Sequence, residues 1–408
     1  VLTVLAAGGA YTGFNWLIAI LLCSCVFMNY ASLSTDQNSD VADSNNIRLI
    51  LLLFSLVTTF FTVRYSLCQW FGNFESRLPV GAHWLGPPVS LAAFVSSWSV
   101  WMFGFLSFFV ASRLNRTGVL IVGWVFVLLV VFETIYGFIS FRNQSDMILG
   151  LYPRESIKDV AGTFVNRNLF AAFMAMATPF GLAAIYHSRG ISLLGRMFAL
   201  TVVAIIATMA VIESHSRLGF VAYAAGVGLV GWYVAKKEGV GVRKRLLILL
   251  AAVAIVFVVF LQIGGDVLVN RFAQLSNATA RIQIWSTVFD IPFSYWLLGI
   301  GPGNTELVVR QLLPPDFDPV IAHLHNEPMQ FLLEFGVVFS GLMFVVVCWY
   351  VKNYEKRKWH GLQIAALCSV FAGFISAFGD YPYRMPGLAI TCCILLGILA
   401  NGRLRQRS

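Results

Sequence analysis

Charge is what this sequence has least of. Asp, Glu, Lys and Arg together make up 12% of the 408 residues, while 58% come from the hydrophobic set. A water-soluble chain carries about 25% charged and about 45–50% apolar residues. A soluble body of this size built from these residues would lack the polar surface to cover itself, which excludes a soluble enzyme and a disordered chain alike. Cysteine is sparse as well. The seven are Cys23, Cys25, Cys68, Cys348, Cys368, Cys392 and Cys393, and all but Cys68 lie in or beside apolar runs. No disulfide framework follows, and neither Cys23-Ser-Cys25 nor Cys392-Cys393 has partners at zinc spacing, so they read as small hydrophobes. A glycine-rich nucleotide loop, a His-Glu-x-x-His pattern and a GxSxG elbow are also missing, which argues against nucleotide hydrolysis as a driving force. Sustained alternating segments of the β-barrel kind are absent too.

What the sequence does have is long apolar runs, and about 20 such residues suffice to cross a bilayer as a helix. Spans are expected near 14–30, 47–64, 90–111, 118–139, 164–186, 197–214, 217–235, 246–263, 330–351, 361–379 and 386–402. The apolar opening, Val1–Ala10, is too short by itself and reads as the end of a further span, without a cleavable signal pattern. The fold class is therefore all-α, a polytopic integral membrane protein of about twelve helices forming one membrane domain over 1–408. A long loop, 264–329, separates spans 9 and 10.

The formal net charge of +9, from 28 Lys+Arg against 19 Asp+Glu, fits basic cytoplasmic loops better than a nucleic-acid partner. With Arg403, Arg405 and Arg407 placed inside, alternation brings 17 of the 28 basic residues to the cytoplasmic side, all in short loops. Asp36, Asp40 and Asp43 also land there, but acidic residues contribute little to orientation. The longer loops near 65–89, 140–163 and 264–329 then face out, and any chemistry is expected on that side.

Three positions there carry candidate chemistry. Arg217, in Glu213-Ser-His-Ser-Arg217-Leu-Gly219, sits in a very short turn between two spans. It either snorkels at a helix end or forms an anion site, since a guanidinium stays charged and forks onto phosphate oxygens. Gly219 would allow close helix approach. Arg281 opens the stretch 281–289, whose Ile282, Trp285 and Phe289 share one helical side suited to a membrane interface; the alternative is a solvated loop arginine. His325, in His323-Leu-His325-Asn326-Glu327, stands directly before a span, where a histidine can move protons near neutral pH or serve a structural role. Two histidines at i and i+2 are a weak metal signal without acidic or Cys partners, so no metal and no cofactor are expected. Glu334 and Asp380 are placed to orient a histidine or to pair with Arg384.

These stretches resemble a known family. His325-Asn326 followed by Gly336, as His-Asn-x9-Gly, looks like the histidine signature of the O-antigen ligase and O-antigen polymerase superfamily. Gly162-Thr-Phe-Val-Asn166-Arg167-Asn168, Ser216-Arg217-x-Gly219, Arg281-x3-Trp285 leading to Gly299-Ile-Gly301-Pro-Gly303, and Asp380-Tyr-Pro-Tyr-Arg384-Met-Pro386 agree in order, over about residues 160–390. The resemblance implies a membrane-embedded glycosyltransferase of the bacterial inner membrane with a periplasmic active site. Such an enzyme moves a glycan from undecaprenyl diphosphate to an acceptor hydroxyl in lipopolysaccharide biosynthesis. It implies catalytic roles for His325, Arg217 and Arg281. Substrate contacts are expected from Arg217, Arg281, Asn166, Arg167, Asn326, His323 and Arg384, part of the site lying in 264–329. Partners would be the lipid-linked donor, a lipid A-core or glycan acceptor and membrane lipids, with no nucleic acid. The His325 to Gly336 spacing leans to a ligase; the alternatives are a repeat-unit polymerase, a protein O-oligosaccharyltransferase and, from another class, a secondary transporter. Transporters show internal repeats and midplane polar residues, and neither is evident here.

Overall fold

The computed structural model describes residues 91–154, 157–241, 244, 276–291, 293–312, 323–354 and 359–404. The expected spans at 14–30, 47–64 and 246–263, the opening segment and the loop near 65–89 lie outside the described residues. Every other expected span coincides with a helix: α1 (Leu91–Ala111), α2 (Arg116–Arg142), α3 (Arg167–His187), α4 (Leu193–Glu213), α5 (Arg217–Lys237), α9 (Glu327–Tyr354), α10 (Gly361–Ala377) and α11 (Pro386–Ala400). Five stretches, Arg116–Arg142, Arg167–His187, Leu193–Glu213, Arg217–Lys237 and Glu327–Val345, are long and apolar enough to cross a membrane. Those helices make this a membrane protein. Within the stretch 264–329, the described residues include α6 (Ser276–Phe289), α7 (Phe293–Leu298) and α8 (Thr305–Leu312).

The described residues fall into two compact units. Unit 1 takes those within Met102–Leu275 and Trp359–Ser408, and unit 2 those within Cys23–Trp101 and Ser276–Lys358.

Unit 1 is built around α3. Every residue from Leu169 to Ile185 on this helix is buried, because α2, α5 and α10 pack on its different faces. Small residues make that possible. A Cβ on Gly219 would collide with the Ala171 side chain, and one on Gly123 would collide with Ala184, so α5 and α2 approach α3 at backbone distance, as small residues allow between membrane helices. Phe126 meets Phe180 edge to face, with centroids 6.0 Å apart. α2 and α10 run antiparallel to α3, so the unit has two distinct ends. One gathers Arg116, His187, Leu193, Lys237 and Gly361; the other gathers the end of α2, the start of α3, the α4–α5 turn and the α10–α11 turn. Between α2 and α3 the chain makes a small hairpin, Met147–Ile148 against Tyr152–Pro153.

Unit 2 has its own core, in which Ile284, Val288, Ile300, Val309, Leu324 and Leu333 are buried together. Trp101 packs edge-on against Phe331 and Phe335 of α9, at 5.9 and 5.7 Å. α9 is broken at Gly336, whose φ of 76° and ψ of 167° are not helical. The cause is the glycine run before α8. Ile300 N–H donates to the Leu333 carbonyl and Gly301 N–H to the Glu334 carbonyl, both at 2.9 Å. A Cβ on Gly299 would strike the Glu334 carbonyl, and one on Gly336 would strike the Gly299 amide nitrogen. The two glycines therefore cross backbone to backbone, and the freed carbonyls of α9 find partners there.

Candidate functional site

In unit 1, the polar residues of the Arg217 end are assembled by one carboxylate. Asp159 is almost wholly buried, and its Oδ2 accepts from Arg167 Nη1 at 2.6 Å while its Oδ1 lies 3.0 Å from His215 Nδ1. The Val160 amide donates to the Glu213 carbonyl at 3.1 Å. The loop that carries Asn166 and Arg167 is thereby tied to the turn that carries Arg217, so two motifs well separated in the chain share one surface. A second carboxylate holds the same loop from below. Glu133, fully buried on α2, accepts from the Thr163 amide and the Thr163 hydroxyl, each at 2.7 Å. Gly162, with φ of 54°, lies against that carboxylate, where a Cβ would collide with Oε2.

Arg217 is the first residue of α5 and is exposed, following Ser216, which makes no side-chain cap hydrogen bond. A helix N-terminus presents unsatisfied amides and a positive dipole end, so Arg217 adds its guanidinium to a place that already favours an anion. Asn166 caps α3, its Oδ1 accepting from the Asn168 amide at 2.7 Å. Arg384 ends the 3-10 turn Pro382–Arg384 between α10 and α11 and is buried, at the same end of the unit as Arg167 and Arg217.

In unit 2, a separate network positions the two histidines. Gln330 Nε2 donates both to His323 Nδ1, at 3.3 Å, and to Glu334 Oε1, at 3.0 Å. Its Oε1 accepts from the Leu324 amide at 3.1 Å, and Thr305 Oγ1 donates to Glu334 Oε1 at 2.7 Å. Glu334 thus reaches His323 through Gln330. An amide nitrogen only donates, so His323 Nδ1 accepts and its ring proton sits on Nε2. His325 has φ of 51°, a left-handed residue that turns the chain into α9. Asn326 then caps that helix, with Oδ1 accepting from the Met329 amide at 3.0 Å.

Arg281 lies half-buried on α6, one turn before Trp285. The expected helix over 281–289 is present, and its buried residues are Ile284 and Val288. Ile282 and Phe289 are 61% and 72% exposed, an apolar side left free for the membrane interface. The Trp285 indole Nε1 donates to the Leu324 carbonyl at 2.8 Å. Within unit 2, the structure brings Arg281, His323, His325 and Asn326 onto joined segments; within unit 1, it brings Asn166, Arg167 and Arg217 together. Among the described residues, no group of three or more His, Cys, Asp or Glu side chains is gathered as a metal site.

Sequence reasoning missed Asp159, Glu133, Thr163, His215, Gln330 and Thr305. A signal existed for Glu133, an ionisable residue inside an apolar span, which is rare without a function. Gln330 and Thr305 had none, because amides and hydroxyls are ordinary at those positions until their partners are known. No curated protein matches the chain. Residues 200–346 match the family model described as O-antigen ligase, a stretch that includes Arg217, Arg281, His325 and Gly336 and excludes Asn166, Arg167 and Arg384. That match supports placing the chain in the O-antigen ligase superfamily.

Proposed function

We propose that this protein is an O-antigen ligase of the bacterial inner membrane, transferring a glycan from undecaprenyl diphosphate to a lipid A-core hydroxyl at the periplasmic face. The observation that supports it best is the family match over 200–346, which contains both candidate cations and the candidate base. A glycosyltransferase-type reaction on a lipid-linked glycan is what that family implies.

The step balances on the residues present. His325 takes the proton of the acceptor hydroxyl as its oxygen bonds to the anomeric carbon. The bond from that carbon to the diphosphate oxygen breaks, and undecaprenyl diphosphate leaves with the electron pair. Arg217 and Arg281 neutralise the charge developing on it, the role a divalent ion fills elsewhere, so the proposed reaction needs neither metal nor cofactor. Asp159 and Glu133 hold the surface around Arg217; Gln330 and Glu334 hold the segment around His325. The exposed Ile282 and Phe289 fit contact with the bilayer that delivers the donor.

The test is purified protein in liposomes with a lipid-linked glycan, a lipid A-core acceptor, no nucleotide and no ion gradient. Transfer to the core is the expected result. His325→Ala should lower turnover by about 10²–10⁴-fold, the usual contribution of a positioned base, with donor binding retained. His323→Ala should be milder. Elongation of the glycan on its lipid carrier instead would assign a repeat-unit polymerase, and normal turnover by His325→Ala would overturn the base assignment.

A further inference from the structure

The end of unit 1 remote from Arg217 holds a cavity of about 870 Å³. Among the described residues, five cations line it, Arg116, Arg189, Arg196, Lys237 and Arg403, against a single acidic residue, Glu238. That carboxylate is already engaged by the Tyr186 hydroxyl. Three of the guanidiniums are fixed by backbone carbonyls and not by carboxylates. Arg116 Nη2 donates to the His187 carbonyl at 3.5 Å, Arg196 Nη1 to the Tyr186 carbonyl at 3.1 Å and Arg403 Nη1 to the Arg113 carbonyl at 2.8 Å. Such contacts orient a cation without cancelling its charge. The wall also presents buried His187, whose Nε2 has no hydrogen-bond partner among the described residues, packed against His360 with ring centroids 5.3 Å apart. Burial, and then Arg116 and Lys237, hold the His360 imidazole below its ordinary range.

The surroundings decide what kind of anion fits. The first turns of α4 rise from the cavity rim, and there Leu194 and Phe198 are 82% and 70% exposed, with Leu193 and Met197 also exposed. α4 is one of the helices long and apolar enough to cross a membrane, so acyl chains lying against this side would meet an apolar surface. A free phosphate would use the cations alone; a phospholipid would use both features.

We propose that this cavity binds the headgroup phosphate of an anionic phospholipid, with its acyl chains lying along the exposed face of α4. The site is independent of the transfer reaction, being at the other end of the unit from Arg217. A bound lipid would neutralise a cluster that otherwise repels itself and would stitch the ends of α2, α3, α4 and α5 together.

Native mass spectrometry of the delipidated full-length protein tests this, with phosphatidylglycerol, phosphatidylcholine of the same chains, and inorganic phosphate as separate probes. Phosphatidylglycerol should bind at least tenfold more tightly than phosphatidylcholine, and inorganic phosphate should not compete at equal concentration. Arg189 and Lys237 are exposed, so the double variant Arg189→Gln, Lys237→Gln is expected to fold. It should lose about thirtyfold in phosphatidylglycerol affinity, two cations' worth at a lipid surface. Arg189→Lys with Lys237→Arg should restore it. Equal affinity for both lipids, full competition by inorganic phosphate, or an unchanged double variant would each overturn the proposal.

Discussion

The Trp285 indole donates a 2.8 Å hydrogen bond to the carbonyl of Leu324. That bond joins the helix bearing Arg281 to the segment bearing His323 and His325, residues far apart in the chain. Trp285→Phe keeps an aromatic ring and removes the donor, leaving a carbonyl of a buried residue unsatisfied. A loss of about 1–3 kcal/mol is expected from that group, seen as a lower thermal midpoint in detergent. Transfer should fall further than the stability loss explains, because Arg281 and His325 lose their common register. Equal transfer per folded molecule would show that the bond is only structural.

Arg217 and Arg281 separate charge from geometry. Replacing either by Ala should strongly reduce transfer while expression and membrane insertion hold. Lys should rescue in part, since it keeps the charge but lacks the bidentate fork for phosphate oxygens. Rates with the lipid-linked donor decide the matter, and full activity in both alanine variants would remove the diphosphate role.

Asp159 is 2% exposed and holds both Arg167 and His215. Asp159→Asn deprives a partly exposed guanidinium of its counter-charge and leaves a neutral amide among donors. A destabilisation of about 1–3 kcal/mol is expected, discounted from that of a fully buried pair because Arg167 reaches solvent. Limited proteolysis of the 157–166 loop should report it before global unfolding does. An unchanged cleavage pattern would show that the loop is held without Asp159, by Glu133 and the Val160–Glu213 backbone bond.

Gly336 and Gly299 pass each other at backbone distance, both with positive φ. Gly336→Ala should cost about 1–3 kcal/mol from the backbone conformation alone, plus the collision with the Gly299 backbone, and should straighten α9. Val337→Ala, one residue on and exposed, serves as the control and should leave the unfolding free energy within about 0.5 kcal/mol of the parent.

Membrane residence and the positions of the described spans were legible in the sequence, and the candidate cations were chosen from it. Each depends on one local quantity: a sustained apolar run, or an Arg at the edge of such a run. Gly219 could be read as a close-approach residue for the same reason, and it packs against Ala171. His-Asn-x9-Gly was legible as a pattern, but its cause was not. The spacing matters because Gly336 must meet Gly299, and only the folded chain sets that crossing.

Partnership was decided by tertiary structure. Glu334 reads in sequence as a carboxylate free to orient a histidine. Its link to His323 runs through Gln330 and is braced by Thr305 from another helix. Asp159 reads as one acidic loop residue among several until the fold carries Arg167 and His215 to it. The same holds for the basic cavity, whose five cations come from separate helix ends and from the C-terminal turn. Periodicity and hydropathy act over a few residues, so they write themselves into a sequence. A hydrogen bond between residues tens of positions apart requires that every intervening helix be packed first, and no local pattern records where that packing brings them.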